Sequence, residues 1–519
     1  MAEHWIEKWQ ELEFRVEVRS LGSDGGTTLR IGPIGGDSKA PEWLRFDCFD
    51  KDPHWHLAPG EQDEIQPLTR PGDPIGEVFE MLEREFPKLL ERAGAPKPIV
   101  EIVDAGAGAG AEGALREDGR KVLERAEAAM RHRPTCLDEL DIRALRSRRS
   151  AKWHHYPPDI LPAWVAEMDF PLARPIQAEL DRLVEYSDVG YPLADRDTGL
   201  PDAFSERMND RFGWKPDPSR IELLSEVVQG MYIAIEAYTE VGDGAIVQTP
   251  IYPPFLSAVR DTGRRLVENP LLAKGTRLEF DLDALPDLID AKTRLFMLCN
   301  PHNPSGRVML RADLDRIAAL ALEHDLIVIS DEIHADLLFD DHVHIPFASL
   351  GPEIAMRTVT LTSASKAFNI PGLRCAIAHF GSEELQQRFN RHHPPHIRGG
   401  IGLLGIYASI AAWRWGQPWL DEIVPYLQAN RDYAFHRLQE RIPEIVFYPP
   451  EATYLAWLDC SALEIQGSPV GHFMRHGHVA LSSGKRFGTA WDRHVRLNFA
   501  TSRPILTEVI DRMAKALGR

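Results

Sequence analysis

Lys366 stands in the run Ser363-Ala364-Ser365-Lys366-Ala367-Phe368-Asn369-Ile370-Pro371-Gly372-Leu373-Arg374, between apolar stretches at 357–361 and 375–380 long enough to be buried strands. A lysine so placed is costly unless neutralised, paired or bonded. Its amine could form a Schiff base with an aldehyde, the more readily where nearby cations disfavour the ammonium form. Asp331 closes another apolar stretch and could hold a ring nitrogen protonated. Ser363, Ser365 and Arg374 offer donors to a phosphate. Val227, Val228 and Gln229 fall where a helix begins, so their backbone amides could face the same phosphate. Tyr252 offers a flat face for a ring. Aldehyde, ring nitrogen and phosphate together describe pyridoxal 5′-phosphate, whose protonated pyridine acts as an electron sink. Plainer readings stand beside these: Asp331 as a helix N-cap, Tyr252 as core packing, Ser365 as a small residue.

Such groups need a scaffold that delivers them to one place. From about Thr135 onward, short apolar strands at 245–249, 294–299, 326–330, 358–362 and 375–380 alternate with helices, among them 231–239 and 311–324. The pattern predicts an α/β fold: a three-layer α/β/α large domain with a mostly parallel sheet. Ligands of such sheets bind beyond the carboxyl ends of the strands. Tyr252, Asn300, Asn303, Asp331 and Lys366 all follow strands in this way. Further strands at 454–459 and 495–499 and a helix at 505–517 predict a smaller α+β domain. The expected division is a small domain from 135–185 and 425–519 and a large domain over 186–424.

Residues 1–104 read differently, as an extra α+β module of unknown role. The alternating Phe14-Arg-Val-Glu-Val-Arg19 predicts a hairpin with 28–31 across Gly22–Gly26, with another strand at 44–49. Residues 75–90 have the spacing of an amphipathic helix, with Pro87 as a kink. The module carries 12 basic and 22 acidic residues. His54-Trp55-His56 beside Cys48 has the residue types of a metal site, but no fourth ligand shows convincing spacing. It is assigned to a strand and turn whose aromatics pack the module's core, and no metal is expected. The alternating Gly/Ala run at 105–111 reads as a linker and 117–131 as a helix, together filling 105–134. His392, His393 and His396 are assigned to a solvated or substrate-side loop.

The whole chain, 519 residues with a net charge of -19, is too long for one core and too acidic for a nucleic-acid partner. Its five cysteines lack CxxC spacing, which points to a reducing compartment. No apolar run approaches the ~20 residues that span a bilayer, and the charged start is unlike a signal peptide. A cytoplasmic protein with no membrane partner is expected.

The motifs resemble a known superfamily. S-A-S-K-A-F-N-I-P-G-L-R, N-P-H-N-P-S-G at 300–306, S-D-E-I-H-A-D at 330–336, T-P-I-Y-P-P-F at 249–255 and R-L-N-F-A at 496–500 are similar to the ordered signatures of fold-type-I aminotransferases of classes I and II. R-R-S-A-K-W at 148–153, W-V-A-E-M-D-F at 164–170, Y-L-A-W-L-D-C at 454–460 and His334, where aspartate-type enzymes carry tyrosine, resemble the cystathionine β-lyase (C–S lyase) branch. Arg374 follows the broader aminotransferase pattern instead. The resemblance implies that Lys366 carries the cofactor and acts as the base on Cα, and that Asp331 pairs with the pyridine nitrogen. It places Asn303 and His334 near the 3′-oxygen, Tyr252 on the ring, and Val227, Val228, Gln229, Ser363, Ser365 and Arg374 at the phosphate. It gives Arg496 the substrate α-carboxylate. Tyr191 would reach the phosphate of a neighbouring subunit in a homodimer. The activity implied is β-elimination on an L-cysteine S-conjugate, with amino-acid transamination as the alternative and a regulatory or partner-binding role as the remote one.

Overall fold

The structure, a computed structural model, describes residues 2–21, 24–34, 42–49, 53–58, 63–69, 74–104, 117–131 and 137–519. The hairpin tip at Gly22, the 105–111 run and the boundary near Thr135 lie outside them. Two compact units emerge: Met1–Thr135 with Ala173–Arg182 and Trp415–Trp419, and Cys136–Leu172 with Leu183–Arg414 and Leu420–Arg519.

In the first unit six strands form an antiparallel meander: Ala2–Trp9, Leu12–Leu21, Asp24–Pro33, Leu44–Phe49, His54–Leu57 and Glu64–Pro67. Alternation sorts their side chains. Phe14, Val16, Leu29, Ile31, Leu44, Phe46, Trp55 and Leu57 enter the core, against Val78, Phe79, Leu82, Phe86 and Leu90 of the helix Pro74–Arg92. Phe14 pairs with Ile31 and Val16 with Leu29, the register of the expected hairpin. Trp55 stacks on Phe46 at 5.8 Å, as expected of a strand whose aromatics pack the core. The first strand escaped the sequence reading because a register shift between Glu3 and Trp5 breaks its alternation.

The second unit is built on a seven-stranded sheet ordered Arg265–Glu268, Gly244–Val247, Thr293–Cys299, Ile327–Asp331, Thr358–Thr362, Ala376–Phe380, Ile221–Leu224. Only Ala376–Phe380 runs against the rest. The mostly parallel sheet expected from the sequence is therefore present. Both faces are buried. Val247, Leu295, Met297, Ile329 and Leu361 pack with the helices Val227–Tyr238 and Pro253–Asp261, while Ile246, Phe296, Leu298 and Val328 pack with Arg311–Glu323. That is why these strands read as unbroken apolar runs. At Gly230 a Cβ would lie 2.8 Å from Leu224 and Leu361, so glycine lets the first helix sit close on the sheet. A smaller antiparallel sheet, Val446–Tyr448, Leu455–Asp459, His494–Asn498 and Ser482–Ser483, accompanies the helix Arg503–Ala516.

Between these parts runs Trp164–Phe170, a segment without regular structure whose backbone groups must find partners elsewhere. Side chains supply them. Asn498 Nδ2 donates to the carbonyls of Val165 (2.6 Å) and Glu167 (2.7 Å). Lys152 Nζ donates to the carbonyl of Glu167 (3.0 Å) and pairs with Asp169 at 2.9 Å, while Trp153 Nε1 donates to Asp169 Oδ1 (2.7 Å). Asn369, in the left-handed region at φ 56°, accepts from Met168 N (2.8 Å) and donates to Met168 O (3.0 Å).

Lys152 and Asp169 are each 1% exposed, so removing one charge strands the other. Lys152→Met is expected to lower the unfolding free energy by about 3–5 kcal/mol in denaturant titrations, and Lys152→Met with Asp169→Leu by clearly less. Equal losses in the single and double variants would show that the pair does not hold the segment.

Candidate active site

Chain direction places the chemistry. Asp331 is the last residue of its strand, with Cys299 and Leu361 as its Cα partners on the flanking strands. Lys366 follows the next strand, on a reversal that passes through Asn369 and Arg374, both with φ near 55°. Tyr252 begins the helix Pro253–Asp261, and its backbone N–H donates to the carbonyl of Asn303 (3.0 Å). Arg496 comes from the smaller sheet. These elements converge on a cavity of about 170 Å³.

The cavity lining includes Lys366, Asp331, His334, Asn303, Tyr252 and Arg496. Lys366 Nζ donates to the carbonyl of Ala166 (2.9 Å), on the segment that Lys152, Asn369 and Asn498 hold. Burial first, and the Arg496 guanidinium second, bring the Lys366 amine down to about 8. Near neutral pH a useful fraction is thus the free, nucleophilic amine. Burial raises the Asp331 carboxyl to about 7, although Ile333 N–H donates to it at 3.1 Å and Lys366 favours its charge. Burial, with Lys366 and Arg496, lowers His334 to about 3, so its ring is neutral. Its Nδ1 is buried without a hydrogen-bond partner among the described residues. The Arg496 guanidinium is oriented by Asn303 Oδ1 (3.0 Å), the carbonyl of Trp164 (3.0 Å) and Ser482 Oγ (3.3 Å), and lies 5.0 Å over the ring of Phe487.

Part of the lining suits an anion. Ser363, Ser365, Arg374, Val227 and Val228 belong to it, the last two in the first turn of the helix Val227–Tyr238. Ser363 Oγ donates to the carbonyl of Cys375 (2.6 Å) and accepts from Ser365 N (3.0 Å). Arg374 pairs with Glu226 at 3.1 Å. A pyridine, an aldehyde and a phosphate each meet a matching group here: carboxyl, amine, and helix start with arginine. The orphaned His334 Nδ1 gives a further polar partner.

Two residues chosen from the sequence stand apart from this lining. The Gln229 side chain is engaged locally, accepting from Ser225 N (3.0 Å) and donating to the carbonyl of Arg398 (2.9 Å). Tyr191 is fully exposed and outside the cavity. Glu226 and the carbonyls of Trp164 and Ala166 were missed. Glu226 was visible as an acid directly before the Val227-Val228 amides; a carbonyl acceptor leaves no trace in residue type.

Residues 8–109 match a family described as Domain of unknown function (DUF7700), and residues 178–513 match Aminotransferase class I and II. Cystathionine beta-lyase PatB of Bacillus subtilis is 37% identical over 361 residues, covering 69% of this chain and 93% of the relative. The crystal structure of OvoB, at 40% identity, superposes with a TM-score of 0.70 over 74% of this chain and 99% of that one. The PLP-bound C–S lyase of Staphylococcus hominis does so at 28% identity, with a TM-score of 0.69 over 74% and 99%. With well over half of its length in one family match and relatives covered almost end to end, the chain belongs to the class I and II aminotransferase family.

Proposed function

We propose that the protein is a pyridoxal-phosphate-dependent carbon–sulfur β-lyase that cleaves an L-cysteine S-conjugate such as L-cystathionine. Consuming one water, it would yield a thiol, pyruvate and ammonia. The observation that carries this is a cavity in which a partly buried Lys366 lies with Asp331, Arg496 and a set of donors suited to an anion. It occurs in a chain similar to proteins named cystathionine beta-lyase and C–S lyase. A homodimer in the cytoplasm completes the proposal, with Tyr191 turned to the neighbouring subunit. Among the described residues no helix is long and apolar enough to cross a membrane.

When bound, the cofactor supplies an electron sink for the pair left at Cα. Asp331 would hold the pyridine N–H, and that new hydrogen bond favours its carboxylate form. Asn303 and the neutral His334 would lie along the ring's 3′-oxygen, with Tyr252 against the ring. Ser363, Ser365, Arg374 and the amides of Val227, Val228 and Gln229 would take the phosphate. Arg496 fixes the substrate α-carboxylate, its planar fork already oriented by Asn303, Trp164 and Ser482. Lys366, the one amine in the cavity lining, would take the α-proton. The C–S bond then breaks with its electrons on sulfur, and the thiolate is protonated as it leaves.

Transamination would share the proton abstraction by Lys366 and would differ in breaking no bond to sulfur. Arg374, the feature that resembles the aminotransferases, lies in the cavity. Purified protein with L-cystathionine, coupled to lactate dehydrogenase, is expected to release pyruvate continuously, and Lys366→Ala to abolish it. No pyruvate from any cysteine conjugate, with the cofactor instead cycling to its amine form and back with a keto acid, would assign the chain to transamination.

A second expectation concerns pH. Capture of the aldehyde requires the free amine, so the rate at which cofactor-free protein takes up pyridoxal phosphate should rise with a midpoint near 8. Arg496 lowers that midpoint, so Arg496→Leu should move it to higher pH. Stopped-flow absorbance at a series of pH values reads both, and an unmoved midpoint would separate Arg496 from the lysine's activation.

A further inference from the structure

The face of the N-terminal sheet turned away from its core is polar, and it carries a cluster that the sequence reading set aside for want of ligands. Asp47 and His54 are paired across adjacent strands, as are Arg45 and His56. His56 Nε2 lies 3.2 Å and His54 Nε2 3.7 Å from Asp47 Oδ2, and all three ligand atoms fall within 4.8 Å of one another. Ligands about 2.0–2.2 Å from a tetrahedral ion would be separated by much the same distances. Cys48, the neighbour considered from sequence, points the other way into the core, because adjacent strand residues face opposite sides. The third ligand was one residue earlier.

His56 is held from two sides. Nδ1 lies 2.8 Å from Asp63 Oδ1, and Arg45 Nη2 lies against the ring, 2.7 Å from Nε2 and 3.2 Å from Nδ1. An ionised carboxylate only accepts, so Nδ1–H is the donor to Asp63, and in that tautomer Nε2 presents its lone pair. A carboxylate holding one imidazole nitrogen while the other presents its lone pair is the arrangement around metal-bound histidines. Asp47 Oδ2 lies 3.2 Å from Nε2, and a cation is lodged against both residues. That cation is the Arg45 guanidinium, whose Nε also donates to Asp47 Oδ2 at 3.1 Å. Asp47 is further fixed by Thr28 Oγ1, which donates to Oδ1 at 2.5 Å.

We propose that Asp47, His54 and His56 bind a divalent transition-metal ion, of the kind that favours imidazole and carboxylate ligands, with Asp63 orienting His56 and Arg45 as the side chain the ion displaces. Nearby charges set the balance. Glu42 and Glu17 both pair with Arg30, and Glu42 also lies 3.9 Å from Arg45, so a carboxylate stands ready to receive the guanidinium once it swings out.

The test uses the full-length holoenzyme, stripped with chelator and dialysed against Zn²⁺ or Co²⁺. Metal analysis should give one equivalent per chain, and bound Co²⁺ should show the absorption of a nitrogen-and-oxygen site. His54→Ala and His56→Ala should each remove that equivalent. Asp63→Asn should weaken binding by about 10–100-fold, the usual cost of losing such an orienting partner. Arg45→Gln should tighten it. Because His56 is buried, its variant could fail to fold; His54 is more exposed, and its variant, checked by circular dichroism, tests the same ligand set. Three results would overturn the proposal: no metal taken up by the parent protein, an equivalent that survives His54→Ala, or one lost only on replacing His392 and His393. That pair forms, with Glu236, the other such group among the described residues. Weaker binding in Arg45→Gln would refute displacement.

Discussion

Lys366, Arg496, His334 and Asp331 share one small cavity, the last three buried and Lys366 partly so, and the rest of the second unit answers to the cost of keeping them there. Two cations out of water need acceptors, and the sheet has none to spare, since its carbonyls are committed to the ladder. The acceptors come from Trp164–Phe170, which lacks regular structure and can turn the carbonyls of Ala166 and Trp164 toward Lys366 and Arg496. A segment with free carbonyls is itself unstable unless tied down. Asn369, Asn498 and the buried Lys152–Asp169 pair perform that task. Lys366 is thus positioned through two layers of hydrogen bonds, and the outer layer begins near residue 150, far away in sequence.

The same burial tunes the groups in opposite directions. It lowers the lysine and the histidine, and Arg496 adds to both shifts; it raises Asp331. The cavity therefore favours neutral forms of its ionisable groups until a ligand brings compensating charge. A pyridinium would draw Asp331 toward its carboxylate form, and an α-carboxylate would offset Arg496. Glu226 already supplies a negative charge to Arg374. A phosphate bound there would have to share or replace that partner, an exchange of anions rather than simple attraction.

Much of this was legible in the sequence because strands buried on both faces are apolar throughout, and the residues closing them stand out. Asp331, Asn303, Tyr252 and Lys366 were chosen for that position and line the cavity; Asn300, chosen with them, does not, and its Oδ1 accepts from Met309 N instead. What escaped has physical causes. Backbone acceptors carry no residue signature, so Ala166 and Trp164 were invisible. Gln229 was chosen for its place at a helix start, where the amide matters, and its side chain is occupied elsewhere. The strand Ala2–Trp9 was hidden by its register shift. His-x-His was noticed, yet its partner was sought at Cys48 when strand alternation puts Asp47 on the histidines' side.

The placement of Asp47 bears on what the N-terminal sheet is for. Arg15, Arg30, Arg45 and His56 follow one another across four strands in register, and Glu17, Thr28, Asp47 and His54 form the next row. Like charges directly opposite one another are unfavourable. Here they are tolerated because Glu13, Glu17, Glu42, Asp47 and Asp63 interleave with them. Such a network is a poor way to stabilise a sheet. Ion pairs this far out of water roughly break even against apolar residues of similar size, and removing one member strands the others. The module has no need of it for a core, since the opposite face already buries Phe14, Leu29, Phe46 and Trp55 against a helix. A face that keeps Asp47 and His56 buried side by side against the Arg45 guanidinium is better explained by an ion that could take the guanidinium's place than by the fold it belongs to.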